Sequence, residues 1–352
     1  MGYRRVRVLV LLAAGVLAAC AGCTSSGSSS SGGGSNSANS SAAQGLEAGY
    51  EQIVAAALPS IVRIDTATGL GSGVILDTNG DIVTNAHVIG TATTSTVTLS
   101  TDRTALDAKT IASFPQGDLA VIRLDSPPKG LKAAVFADSA RLRIGQIVMA
   151  MGNPLGLSSS VTQGIVSATG RTVTEPGGGN AAPTTLTDMV QTSAAINPGN
   201  SGGALVDLSG HIVGIPTLTA VDQELGGAAP GIGFAISSNT ARNIAQQIVK
   251  NGRVTDSGLA ALDVSVRTVV DQSGKPVGVG VVSAKPDGAA AKAGITAGDL
   301  ITAVDGTPTP SASALSETLA TLKPGQQVPV AVTHEDGSTA TVNVTLGTLA
   351  VS

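Results

Sequence analysis

From about residue 55 to residue 236 the chain alternates short apolar runs with turn-forming residues. The runs are Ser60-Ile61-Val62-Arg63-Ile64, Gly73-Val74-Ile75-Leu76, Asp81-Ile82-Val83-Thr84, Leu119-Ala120-Val121-Ile122, Ile147-Val148-Met149-Ala150 and His211-Ile212-Val213-Gly214-Ile215. Short runs rich in Val and Ile, bounded by turn signals, predict strands. Thr78-Asn79-Gly80-Asp81 and Leu208-Ser209-Gly210-His211 predict hairpin turns, because Asn-Gly and Ser-Gly supply the positive φ at which paired strands reverse. Many short strands at regular spacing argue for barrels or a sandwich. The region closes on a predicted helix: Ser237-Ser238-Asn239 offers N-cap oxygens, Ile244, Ile248 and Val249 recur at helical spacing, and Asn251-Gly252 ends it.

After Gly252 the pattern restarts with Val264-Ser265-Val266, Val277 to Val282, Gly298-Asp299-Leu300-Ile301 and Val328 to Val332. Leu315, Leu319 and Leu322 fall on one helical face behind Ser311 or Ser313 as caps, and Asp287 to Gly294 forms a second short segment. Strands interspersed with two helices predict a small α+β domain.

Residues 1–23 read differently. Arg4, Arg5 and Arg7 precede an apolar stretch, Val8 to Ala19, and then small residues and a cysteine, which is the layout of a secretory signal. The stretch is about 12 residues long against the roughly 20 needed for a permanent span. Cysteine occurs only at Cys20 and Cys23, inside this segment, so the folded region has no disulfide available and no thiolate chemistry. Residues 24–44 are nearly all Ser, Gly, Ala and Asn, and read as a flexible tether with a reach of roughly 25 Å.

Composition narrows the function. Trp is absent and Phe and Tyr number three and two, so the core must be built from Val, Ile, Leu and Ala. With 20 Lys and Arg against 24 Asp and Glu and almost no aromatic residues to stack bases, the chain is not expected to bind nucleic acid. Gly69-Leu70-Gly71-Ser72-Gly73 lacks the later glycine or lysine of a phosphate loop. The three histidines stand far apart with no cysteine partners, so neither a metal nor any other cofactor is expected.

The chemistry lies in three stretches. Asn197-Pro198-Gly199-Asn200-Ser201-Gly202-Gly203-Ala204-Leu205 sets a serine in a glycine-rich turn before an apolar strand. Such a turn lets the amides of Gly199 and Ser201 converge on a developing oxyanion, although a plain loop reads equally well at this point. His211 and His334 sit in polar turns, as solvated residues would. His87 instead ends the strand-like run Asp81 to Val88 among small and apolar neighbours. A lone histidine there is usually structural. Gly117-Asp118-Leu119-Ala120-Val121-Ile122 changes the balance, because a carboxylate heading an apolar strand can be drawn inward to orient an imidazole.

The order His87, Asp118, Ser201, with Thr84-Asn85-Ala86-His87-Val88, Asp118-Leu119-Ala120-Val121, Gly152-Asn153-Pro154-Leu155-Gly156, Val161 to Ser167 and Ala194 to Leu205, resembles the HtrA/DegP family of trypsin-like serine proteases. The resemblance implies a mainly β fold of two antiparallel β-barrels, chymotrypsin-like, over residues 45–252. His87 would be general base, Asp118 its orienting carboxylate and Ser201 the nucleophile, with Gly199, Asn200 and Ser201 at the oxyanion hole. Ala195, Ile196, Ile215, Ala235 and Ile236 would line a small apolar pocket selecting Val or Ala. Ser193 and the segment Phe114 to Gly117 depart from the family pattern without removing a triad member, and the loop between Arg171 and Thr187 is expected to be mobile.

Ala289 to Ile295 followed by Gly298 to Gly306 resembles the PDZ domains that follow bacterial HtrA proteases, here residues 253–348. The peptide-end loop would be Leu262-Asp263-Val264, where Asp263 replaces a flexible glycine and opposes a free carboxylate. Leu17-Ala18-Ala19-Cys20 resembles the bacterial lipobox, implying lipid on Cys20 and a position on the outer face of the cytoplasmic membrane or in the cell envelope. The resemblance further implies unfolded polypeptides as substrates, peptides at the PDZ groove, and a trimer for which Tyr50 is the candidate aromatic contact. A non-catalytic holdase or scaffold, and a regulatory protease trimming one envelope partner, are the competing readings. Fatty-acid labelling is expected in the parent chain and lost in Cys20→Ser; absence of label from both would remove the anchor.

Overall fold

The computed structural model describes residues 34–67, 69–101, 104–153, 160–175, 184–197, 199–222 and 227–349. Cys20 and the signal segment lie outside the described residues. By its contacts the chain divides into Met1–Glu47 and Ala48–Ser352. Helix α1 spans Gly34–Ala57, so the later part of the segment read as a flexible tether is helical. That part contains Ala38, Ala42 and Ala43 and no proline, which leaves the helix uninterrupted.

The first barrel is built from β1 (Ile61–Asp65), β2 (Leu70–Ile75), β3 (Asp81–Thr84), β4 (Thr94–Leu99), β5 (Ala105–Phe114) and β6 (Leu119–Leu124), with the one-turn helix α2 (Ala86–Ile89) after β3. The second uses β7 (Ile147–Gly152), β8 (Ser160–Glu175), β9 (Thr184–Thr192), β10 (Ala204–Asp207), β11 (Ile212–Asp222) and β12 (Gly227–Ser237). Their strand orders, β1-β2-β3-β6-β5-β4 and β7-β8-β9-β12-β11-β10, are the same pattern repeated, and both sheets close. Closure removes the exposed strand edges that an open sheet would leave. Gly80 at φ +87° and Gly210 at φ +74° make the two hairpin turns read from the sequence.

Side-chain alternation divides these strands between cores. Val62, Ile64, Ile75, Ile82, Ala120 and Ile122 belong to the cluster inside the first barrel, and Val148, Ala150, Leu205, Val213 and Ala235 to that inside the second. Their strand neighbours Ile61, Val74, Val83, Val121, Met149, Met151 and Val206 point the other way, into a third cluster between the barrels. Helix α3 (Ser238–Asn251) seals this seam with Ala241, Ile244, Ala245 and Ile248. Its N-cap is Ser237, whose Oγ accepts the Thr240 N–H, and its C-cap is Gly252 at φ +70°. The Gln247 Oε1 then accepts the N–H groups of Thr255 and Asp256 at 2.8 Å each, fixing the start of the connection onward.

The C-terminal α+β domain contains β13 (Ala260–Ala261), β14 (Val264–Val270), β15 (Pro276–Ala284), α4 (Ala289–Lys292), β16 (Leu300–Val304), β17 (Thr307–Pro308), α5 (Ala312–Ala320), β18 (Gln327–Thr333), β19 (Thr339–Thr345) and β20 (Gly347–Thr348). The main sheet runs β14-β15-β16-β18-β19, so β14 is an edge strand. Ser311 caps α5, and Leu315 and Leu319 pack onto the sheet with Val330, Val332 and Val344. His334 lies in the β18–β19 turn but is not merely solvated: its Nδ1 is 2.8 Å from Asp299 Oδ1.

Asp299 is 3% exposed. Burial pushes its carboxyl up, but bonds from the Thr296 N–H and His334 outweigh this and hold it below the usual carboxylate range. The native fold therefore favours the ionised form, giving stability that is present above the ordinary titration range and lost as pH falls through the lowered native value. Asp299→Asn is expected to flatten this acid-side loss, as measured by urea unfolding against pH. In the first barrel, Ile122→Ala should cost about 2–5 kcal/mol in the same unfolding experiment. Val282→Ala, at an exposed site, should stay within about 0.5 kcal/mol.

Candidate active site

β3 stops at Thr84, and Asn85, with extended backbone, is the N-cap of α2. His87 therefore stands on a helical turn and not at the end of a strand. Ala86, Val88 and Ile89 are buried, while the His87 side chain is 48% exposed. Asp118 follows the tight turn Pro115–Gly117 and adopts φ +48°, a left-handed conformation that aspartate tolerates better than most residues. This backbone places its carboxylate inward, leaving the residue 8% exposed.

That carboxylate grips His87 twice. The Nδ1 lies 3.0 Å from Oδ1 and 2.9 Å from Oδ2, and the His87 backbone N–H donates to Oδ1 at 3.0 Å. Asn85 Nδ2 donates to the Asp118 carbonyl at 2.9 Å, and Thr217 Oγ1 donates to Oδ2. A carboxylate on Nδ1 favours the proton on that nitrogen and leaves Nε2 as an acceptor.

Ser201 lies in the turn ahead of β10. The turn is set by Asn200 N–H to Asn197 O at 3.0 Å, Gly203 N–H to Asn200 O at 2.9 Å and Gly202 N–H to Pro216 O at 3.0 Å. Gly202 has φ +77°, and a Cβ there would come within 2.2 Å of the Ser72 carbonyl oxygen. The Ser201 Oγ donates to Thr217 O at 3.4 Å. His87, Gly199 and Ser201 line one cleft of about 290 Å³, with Leu70, Ile196, Asn197 and Thr217 completing it.

Several sequence expectations need correction. Asn200 is no oxyanion donor: its N–H is spent on Asn197 and its Nδ2 reaches Ala195 O at 3.4 Å. Of the five pocket residues only Ile196 lines the cleft. Ala235 lies in the second barrel's inner cluster, while Ile215 and Ile236 point into the seam. Ala195 is exposed. Within Arg171–Thr187, β8 reaches Glu175 and β9 starts at Thr184; residues 176–183, on which the expectation of mobility falls, lie outside the described residues, as do Pro154 to Gly156. Tyr50, the candidate contact between subunits, packs half-buried against the seam cluster of its own chain. Thr217 and Ser72 escaped the sequence reading. A threonine following an apolar run, and a serine between two glycines, were the available signals.

Residues 71–215 match a family model described as a trypsin-like peptidase domain, and residues 230–346 match one described as a PDZ domain. The chain is 36% identical over 363 residues to serine protease PepD of Mycobacterium tuberculosis, covering 96% of this chain and 76% of the relative. The chain belongs to the HtrA/DegP family of serine proteases. It is also 41% identical over 281 residues to the periplasmic serine endoprotease DegP of Escherichia coli, covering 79% of this chain but 56% of DegP, so it spans just over half the length of that relative. Among solved structures, the HtrA-type protease AlgW with decapeptide matches at TM-score 0.58 and 30% identity, covering 86% of this chain and 99% of the other.

In this HtrA-family chain a cavity of about 430 Å³ lies between β14 and α5, walled by Leu262, Asp263, Val264, Val266, Leu315 and Leu319 and, from the protease domain, by Pro115, Gln116, Thr185 and Thr187. Asp263, which stands in place of a flexible glycine, takes the left-handed conformation itself at φ +57°. Its Oδ2 accepts the Ala289 N–H of α4 at 3.1 Å, so the carboxylate is engaged at that helix start.

Thr217→Val keeps the shape and removes the donor to Asp118. A hydrogen bond to a charged group is worth about 1.5–3 kcal/mol, so kcat/KM on a peptide substrate is expected to fall by roughly 10- to 100-fold with little change in melting temperature.

Proposed function

We propose that the protein is an ATP-independent serine endopeptidase of the cell envelope that hydrolyses unfolded or damaged exported proteins. The observation that carries this reading is the Asp118 carboxylate locked onto His87 Nδ1 in the cleft that also contains Ser201.

His87 Nε2 takes the proton of Ser201 Oγ as the oxygen attacks the substrate carbonyl, and Asp118 stabilises the imidazolium that results. The amides of Gly199 and Ser201 receive the negative charge of the tetrahedral intermediate. His87 then gives its proton to the leaving amine, and water, deprotonated by the same imidazole, releases the acyl group from Ser201. Ile196 and Leu70 make the cleft wall apolar, which supports a preference for Val, Ala or similar side chains before the cut bond.

The PDZ groove takes an extended peptide as an added strand on β14, with apolar contacts to Leu315 and Leu319, and its occupancy regulates cleavage. The peptide complexes of AlgW support a peptide as the ligand type. Periplasmic relatives and the leading segment of this chain support export, with Cys20 as the lipid anchor. Among the described residues no helix is long and apolar enough to cross a membrane. A homotrimer remains the family-based expectation for assembly.

The test is cleavage of unfolded casein by the protein and by Ser201→Ala, with and without a hydrophobic C-terminal peptide. Many cuts, abolished by at least roughly 10⁴-fold in the variant and accelerated by the peptide, are expected. No cleavage by either protein, with a serine-reactive phosphonate failing to label Ser201, would leave a strand-capturing holdase.

A further inference from the structure

β2 carries Gly71-Ser72-Gly73, and the two glycines face the first barrel's interior. A Cβ on Gly73 would meet Ile82 and Ile64 within 2.7 Å. Alternation then turns Ser72 outward to the seam, where it is fully buried. A buried hydroxyl without partners is costly, and this one has two. It donates to Gly199 O at 2.6 Å and accepts the Asn153 N–H at 2.8 Å. The main chain of the same residue is also engaged: its N–H donates to Ser201 O at 2.9 Å, and its carbonyl accepts from Thr84 Oγ1 at 2.7 Å. One residue of the first barrel thus holds three residues of the second.

We propose that Ser72 is a positioning residue of the oxyanion hole, acting through the carbonyl oxygens of Gly199 and Ser201. The inference rests on the serine endopeptidase reading above and deepens it. The amides assigned to the oxyanion belong to Gly199 and Ser201, and Ser72 fastens the carbonyl of each. Gly199 stands at φ +101° in a glycine-rich turn, where nothing intrinsic to its backbone selects one orientation. Fixing its carbonyl sets the plane of the following peptide and limits how the residue can rotate as a unit. Gly152 closes the other side, since a Cβ there would lie 2.7 Å from Gly199 O. The hydroxyl touches neither substrate nor the reacting atoms. It acts by holding donors in place before charge develops, which is how preorganised dipoles lower a barrier.

Ser72→Ala removes the side-chain bonds and leaves the N–H to Ser201 O. Losing an oxyanion donor outright costs about 10²–10³ in kcat, so loosening one is expected to lower kcat by roughly 10- to 100-fold, with KM within about threefold. Affinity for a peptidyl boronic acid, whose tetrahedral adduct places an oxygen in the hole, should fall in step, whereas Ser72→Thr should recover most of both. Circular dichroism and melting temperature establish that each variant is folded under assay conditions. If Ser72→Ala does not fold, Ser72→Cys, which keeps the volume and weakens both bonds, is measured in the same way. Retention of kcat within twofold, a loss confined to KM, or equal losses in the alanine and threonine variants would overturn the proposal. In each case Ser201-dependent hydrolysis by the parent protein keeps the endopeptidase reading intact; absence of that hydrolysis would overturn both.

Discussion

Alternate residues of the same strands serve two cores at once, and the two-barrel structure depends on that division. A strand buried on one face tolerates polar residues at every second position; these strands have no such face where the barrels meet. The pairs Ile61 with Val62, Ile82 with Val83, Val121 with Ile122 and Met149 with Ala150 each place one side chain inside a barrel and its neighbour in the seam. Slipping a strand by one residue would exchange both sets, so register is fixed from both sides. The same constraint governs polar residues that enter the seam, because burial there demands hydrogen-bond partners. Ser72, Asn85, Asp118 and Thr217 are buried near the junction of the barrels and are joined by bonds from Ser72 to Gly199, from Asn85 to Asp118 and from Thr217 to Asp118, while Asn85 Oδ1 and the Oδ1 of the equally buried Asn200 find no partner among the described residues. The candidate active site occupies the stretch of seam that is polar.

Much of this was legible in the sequence. Strands β1, β2, β3, β6, β7 and β11, the hairpin glycines, the capped helix after Ser237 and the small C-terminal domain announce themselves through period and turn chemistry, which are local, whereas the more polar β4, β5, β8 and β9 do not. His87, Asp118 and Ser201 could be nominated as candidates because few histidines compete, because a carboxylate heads an apolar strand, and because the surrounding motifs resemble those of a known family. What escaped depends on parity and on contacts between distant residues. Ile215 and Ile236 are apolar and close in sequence to the cleft, but nothing local tells which way they point; a register shift between β10 and β11 decides it for Ile215. Thr217 reaches Asp118 across 99 positions and Ser72 reaches Gly199 across 127, distances at which composition carries no signal.

The groove of the C-terminal domain is bounded partly by the protease domain. Pro115 and Gln116, which wall it, belong to the turn whose next residues are Gly117 and Asp118. Thr185 and Thr187, on its other protease wall, lie on β9, which pairs with β8 and β12 in the second barrel. Whatever fills the groove lies against elements that continue directly into both halves of the candidate active site.

The histidine and the carboxylate come from the first barrel, and the serine from the second. A chain that emerges amino end first therefore exposes His87 and Asp118 before Ser201 has been delivered beside them. Until β10 is paired with β7 and β11, the turn that carries Ser201 has no sheet to hold it. The cleft that His87 and Ser201 share is therefore assembled only with the last strands that complete the second barrel.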